Sequence, residues 1–326
     1  MTTPTQQHPY VNVPETVSKE AQEFLRTLRD PALMPAFPDA GDLAGWKKVQ
    51  AFAEAAGTAT SAPRLKRYEH TVRETSLGGV PVLDVRPKNW ADNGKVLVYT
   101  HGGAHVMSSA ASTLGRAVIA AHETGLRVIS VDYTLAPFAK YDQMSDQVIA
   151  AIQALRSDGQ RLSDTAIYGD ASGGGLAAAA VLKMRDRGLG MPAAIVLVSP
   201  WLDVTASGDT ETTLRTADPN ALDERHARQA AAAYAALEHH KDPYASPVYG
   251  DYSTGFPPTL IQGGLKEVLL SGFVRMYQAL DTAGVTVKLD LYEGTIHNFP
   301  DRIPDAPEAI AARQKMRAFL HQHLGL

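Results

Sequence analysis

Residues 165–184 read TAIYGDASGGGLAAAAVLKM: a short apolar strand, a glycine-dense turn and then a run of strong helix formers. A nucleophile elbow, G-x-S-x-G, sits on such a turn, because small flanking residues permit the sharp, strained backbone that pushes the central side chain into the open. Gly169 and Gly173 occupy the two glycine positions, but the residue between them is Ala171, and the serine comes one place late, at Ser172. Three readings compete. The turn is a tight strand-to-helix link without chemistry; or Gly173, Gly175 and Ala178 form a G-x-G-x-x-A dinucleotide fingerprint; or it is an esterase elbow whose nucleophile has been removed. The second lacks the acidic residue a ribose needs at the end of the next strand, which closes on Ser199-Pro200-Trp201.

Working outward, the same strand–loop–helix rhythm repeats. Lys95–Thr100, Arg127–Tyr133, Thr165–Gly169, Ala194–Ser199, Thr259–Gly263 and Thr286–Tyr292 are short and rich in β-branched and apolar residues. Helix-periodic segments lie between them, including Gln143–Arg156, Leu176–Arg187 and Leu269–Ala283. Buried strands alternating with helices predict an α/β fold with a mostly parallel sheet covered on both faces. His70–Ser76 and Val80–Arg86, joined by Leu77-Gly78-Gly79, add an antiparallel hairpin, for a sheet of about eight strands. Residues 1–66 hold two amphipathic helices, Glu20–Arg29 and Leu43–Ala56, interrupted by Pro31, Pro35 and Pro38, and form a cap segment that must pack on the rest of the chain. Residues 67–326 make the main domain. Within it, 201–257 breaks the rhythm with a helix at Asp223–Leu237 and Pro-rich stretches, and reads as a cap-like insertion over the strand ends.

Composition narrows the function classes. The 326 residues, 44% hydrophobic and 20% charged, suit a globular protein with a sizeable core. A formal net charge of −4, with basic residues scattered, argues against nucleic-acid binding. With no cysteine there is no disulfide, zinc–thiolate site or cysteine nucleophile, which fits a reducing cytoplasm. No run is apolar enough to span a bilayer, and the N-terminus lacks signal-peptide features. His122-Glu123 lacks the second histidine of H-E-x-x-H, so neither a metal nor another cofactor is expected. A homodimer is left open.

Thr100-His101-Gly102-Gly103-Ala104-His105 follows the strand Lys95–Thr100. A glycine turn here brings backbone N–H groups close to a substrate with no Cβ in the way, and Gly102 and Gly103 are the expected oxyanion donors. HGGAHV, Val131–Pro137 (VDYTLAP), YGDASGGG and Tyr292–Phe299 (YEGTIHNF) together resemble the signature blocks of the hormone-sensitive-lipase branch of bacterial α/β-hydrolase esterases, over roughly residues 70 to 320. That resemblance implies an α/β-hydrolase fold with a helical cap, and a carboxylic ester hydrolase acting on a small-molecule ester through an acyl-enzyme. The family elbow reads GDSAGG or GDSSGG, so one serine-to-alanine change yields this sequence. An engineered change, of the kind made to trap a substrate, is the preferred explanation of Ala171, and a naturally inactive paralogue the alternative.

His297 follows the last strand, where the order nucleophile, acid, base puts the general base. The family's usual aspartate position holds Lys266; Glu267, one place on, resembles the G-x-x-E variant and would orient the imidazole, with Asp242 as fallback and an exposed helix-start glutamate as the non-catalytic reading. Ser172 points about 100° away from residue 171 on a helix start, so its backbone N–H is the expected contribution to the oxyanion hole. Asp170 reads as structural. His8, His239, His240, His321 and His323 read as surface or capping residues, and Trp46, Phe52, Trp201 and Tyr234 as candidate pocket-lining aromatics. A catalytically dead small-molecule receptor on the same fold is the alternative function.

Overall fold

The computed structural model describes residues 12–28, 36–218 and 224–326. Arg29, Pro31, Pro35, Asp223 and His8 lie outside them. Eight strands form one sheet: β1 (His70–Leu77), β2 (Val80–Pro87), β3 (Val96–Thr100), β4 (Arg127–Val131), β5 (Thr165–Asp170), β6 (Ala194–Val198), β7 (Thr259–Gly264) and β8 (Val287–Tyr292). Their order is β1-β2-β4-β3-β5-β6-β7-β8. β1 and β2 form an antiparallel hairpin, and β2 meets β4 antiparallel. Every other neighbouring pair is parallel. At the hairpin tip both Gly78 and Gly79 have positive φ, the backbone a two-residue turn between right-twisted strands requires.

Ten helices are described: α1 (Lys19–Thr27), α2 (Leu43–Arg67), α3 (Leu114–Thr124), α4 (Tyr141–Ser157), α5 (Ser172–Asp186), α6 (Thr210–Thr213), α7 (Glu224–Tyr234), α8 (Leu270–Thr282), α9 (Phe299–Arg302) and α10 (Pro307–Leu324). Alternation along each strand sorts the core into two layers. Val98, Ile129, Ile167 and Ile195 face α4, α5 and α8, while Leu97, Tyr99, Val128 and Val196 face α3 and α10. Among the described residues no helix is long and apolar enough to cross a membrane.

α2 runs eleven residues beyond the Ala56 boundary read from sequence. Gly57, Ser61 and Pro63 are poor helix formers, but tertiary contacts hold this half in place: Ser61 donates to Ser112 O at 2.8 Å and Arg64 pairs with Asp301 at 3.0 Å. The helix therefore crosses the 66/67 boundary without a break. α7 is described from Glu224 and ends at Tyr234, three residues short of the expected Leu237, and β4 stops at Val131, two residues short of Tyr133.

All six parallel strands point their C-terminal ends the same way, the edge at which open α/β sheets gather functional groups. The turn after β5 packs so tightly on the end of β3 that a Cβ at Gly173 would lie 2.2 Å from Thr100 O and 2.3 Å from His101 O. Both obstacles are backbone and cannot move aside cheaply. Gly173→Ala is thus expected to lower unfolding stability by about 1–3 kcal/mol or more, seen as a lower urea midpoint at unchanged slope.

Candidate active site

The backbone of Ala171 has φ 50° and ψ −125°, a region costly for a residue with a Cβ. It is held by its N–H donating to Val198 O at 2.9 Å and its carbonyl accepting from Trp201 N at 2.8 Å. The turn points the Ala171 methyl into a cavity of about 730 Å³. Gly103, Ala104, Ser172 and His297 border the same cavity, so the structure brings together the elbow, the HGG loop and the expected base.

His297 Nδ1 lies 3.0 Å from Glu267 Oε2. Glu267 is fully buried, and its other oxygen, Oε1, accepts from Ser199 Oγ and from Gly264 N–H, each at 2.6 Å. This places the carboxylate on Nδ1, the arrangement that favours the tautomer with its proton there. Burial is the largest influence on His297 and disfavours its charged form. The hydrogen bond and charge of Glu267, helped by Asp218, outweigh it, so the pKa lies above the ordinary 6.5. Protonation of His297 therefore adds stability that is fully present below about pH 6.5 and is lost as pH rises through the folded value.

Several site residues depart from the sequence reading. The N–H of Gly102 donates to Asp170 Oδ1 at 3.2 Å, which removes it from the expected oxyanion role. Gly103 and Ala104 border the cavity, and their N–H groups make no hydrogen bond among the described residues. Gly103 adopts φ 130°, a conformation that excludes a side chain. Ser172 opens α5, so its N–H has no partner within the helix. Its hydroxyl accepts from His105 N–H at 3.0 Å and ties the HGG loop to the elbow.

Two further residues were not singled out for the site by the sequence reading. Ser199, with φ 47°, relays between Glu267 and the Asn298 N–H, which it receives at 3.0 Å. Asp218 is buried and accepts from the His297 N–H at 3.3 Å. Asp218, Glu267 and His297 offer metal-type ligand atoms within 4.8 Å of one another, although Glu267 and His297 already bond each other. A serine at a strand end and an aspartate in an insertion carry no local sequence signal. Both act through contacts made only on folding.

Asp170 is structural, as expected: it receives Tyr99 OH at 2.6 Å, Asn298 Nδ2 at 3.0 Å and the Arg116 guanidinium. Asp242 bonds Tyr141 OH and the Tyr244 N–H instead of His297. Of the four aromatics singled out, Trp201 borders the cavity. Trp46 is core, Phe52 is solvent-exposed, and Tyr234 is buried against His105 with ring centroids 3.7 Å apart. His105 is itself buried, and its pKa is pushed down to about 3 by that burial with help from His101. A neutral ring suits the stack, which clamps the HGG loop to α7. His240, read as a surface or capping residue, bonds Ala235 O at 3.1 Å just beyond α7 and also borders the cavity.

Residues 97–301 match the model of the alpha/beta hydrolase fold family. An acetyl-hydrolase of Streptomyces hygroscopicus is 33% identical over 274 residues, covering 81% of this chain and 90% of the relative. The chain belongs to the α/β hydrolase fold family. A solved esterase structure superposes on this α/β hydrolase with a TM-score of 0.89 at 28% identity, covering 96% of each chain. A second, described as an esterase from the bacterial hormone-sensitive lipase family, gives 0.82 at 28% identity, over 94% of this chain and 99% of the other.

In this α/β hydrolase, Glu267→Gln leaves burial as the main influence on His297. Its pKa should fall below 6.5, read from the pH dependence of the His297 ring signals in NMR.

Proposed function

We propose that the protein is a carboxylic ester hydrolase whose active form carries serine at position 171, and that the chain with Ala171 binds its ester without turning it over. One observation carries this reading. The strained elbow at Ala171 and the Glu267-bonded His297 border one cavity, together with unpartnered backbone N–H groups of the HGG loop. The acetyl-hydrolase and esterase relatives support it and favour a small ester.

With serine present, Oγ attacks the ester carbonyl while its proton passes to His297 Nε2. The tetrahedral oxyanion is stabilised by the N–H groups of Gly103, Ala104 and Ser172. Collapse breaks the bond to the alcohol, which leaves with the proton from His297. Water, deprotonated by the same nitrogen, then releases the acid and restores the serine. Glu267 holds the ring and stabilises its charged form. In this scheme 1–66 and 201–257 act as the cap. Its α7 supplies Ala227 and Ala231 to the cavity wall. The missing hydroxyl at 171 is a single deletion from this machinery, made by substitution.

The test is Ala171→Ser assayed with p-nitrophenyl acetate and butyrate. Loss of the nucleophile in a serine protease of the same logic costs on the order of a million-fold in turnover, so a gain of several orders of magnitude is expected. Activity should rise with pH as His297 loses its proton, with the acid limb above pH 6.5. Adding Ser172→Ala to Ala171→Ser should reduce the rate but keep most of the gain, since Ser172 positions the loop. A restored enzyme no faster than the alanine chain would sink the reading.

A further inference from the structure

Arg302, at the end of α9 and five residues after His297, borders the same cavity as Ala171 and His297 and is exposed to it. Its neighbours are already engaged. Asp301 is held by Arg64 at 3.0 Å and by Arg116 at 2.9 Å, and Arg116 also pairs with Asp170. Two guanidiniums thus take the two carboxylates, and that of Arg302 is left over. Its guanidinium makes no ion pair or hydrogen bond among the described residues, and Asp218 and Asp301 reach it only through longer-range attraction.

Surrounding protein and the adjacent Arg116 weigh against the charge of Arg302, while its side chain stays open to solvent. A guanidinium presents a planar fork that matches a carboxylate bidentately, and the pairing strengthens where water is scarce. The fold also fixes its placement. Phe299, fully buried, anchors the start of α9 beneath the cavity, and Asn298 ties the segment to Asp170.

We propose that Arg302 receives a free carboxylate on one arm of the substrate, so that the preferred ester is an anionic one, such as a half-ester of a dicarboxylic acid. This rests on the ester-hydrolase reading of the same cavity. It adds a charge requirement that the triad and oxyanion loop do not impose.

Binding tests it without turnover. The unmodified chain is titrated calorimetrically with monomethyl succinate, glutarate and adipate, and with methyl butyrate, pentanoate and hexanoate as neutral counterparts. At least one half-ester should bind about tenfold more tightly than its neutral counterpart. Arg302→Gln should erase that advantage, and Arg302→Lys should keep part of it as a point charge. Because Arg302 holds no other element in place, both variants should fold, which circular dichroism checks. Equal affinity for charged and neutral esters, an advantage that survives Arg302→Gln, or no binding of any half-ester would each overturn the inference. The Ala171→Ser assay with neutral p-nitrophenyl esters stands apart. If they are hydrolysed while the titration shows no charge preference, the esterase reading survives and only the role of Arg302 fails.

Discussion

The carboxylate of Asp170, buried at the end of β5, is the point on which the site's geometry depends. It receives the Tyr99 hydroxyl from β3, the Gly102 N–H from the HGG loop, the Arg116 guanidinium from α3 and the Asn298 amide from the His297 loop. A buried carboxylate without such partners would be costly, so each donor is held to its place as firmly as the acid itself. Residue 170 immediately precedes the elbow. One group therefore sets the separation between residue 171, the HGG loop and His297.

A second network runs beside the first. Asn298 N–H meets Ser199 Oγ, Ser199 meets Glu267, and Glu267 meets His297. Three strand ends, those of β6, β7 and β8, are locked together by these bonds. Polar networks of this kind rigidify a site when every member is satisfied. The result is a fixed imidazole at the edge of a roomy cavity.

Local patterns show the limits of each kind of reading. The six parallel strands and the hairpin were legible because burial on both faces demands continuous apolar runs, and turns demand glycine. The length of α2 was not: its second half contradicts its own propensities and depends on Ser112 and Asp301, residues about fifty and over two hundred positions away. The HGG turn was legible as a source of backbone N–H groups, but which of them are free was not, since Gly102 donates to the Asp170 side chain at the end of β5. Aromatic residues were a poor guide to the cavity wall. Tyr234 and Trp46 went to packing instead, where large apolar area is most stabilising.

By itself the sequence determined the α/β architecture, the strained turn at Ala171, and the presence of a histidine and a glutamate at the ends of the last two strands. These follow from periodicity, from glycine spacing and from chain order, all local properties. Only the tertiary structure decided that Glu267 takes His297 through Nδ1, that Ser199 and Asp218 support the pair, that Gly103 and Ala104 rather than Gly102 keep free N–H groups, and that the Arg302 guanidinium is left without an ion pair at the cavity. Each of these is a matter of which donor reaches which acceptor across the fold. Residue type limits the possible partners, but proximity after folding selects among them.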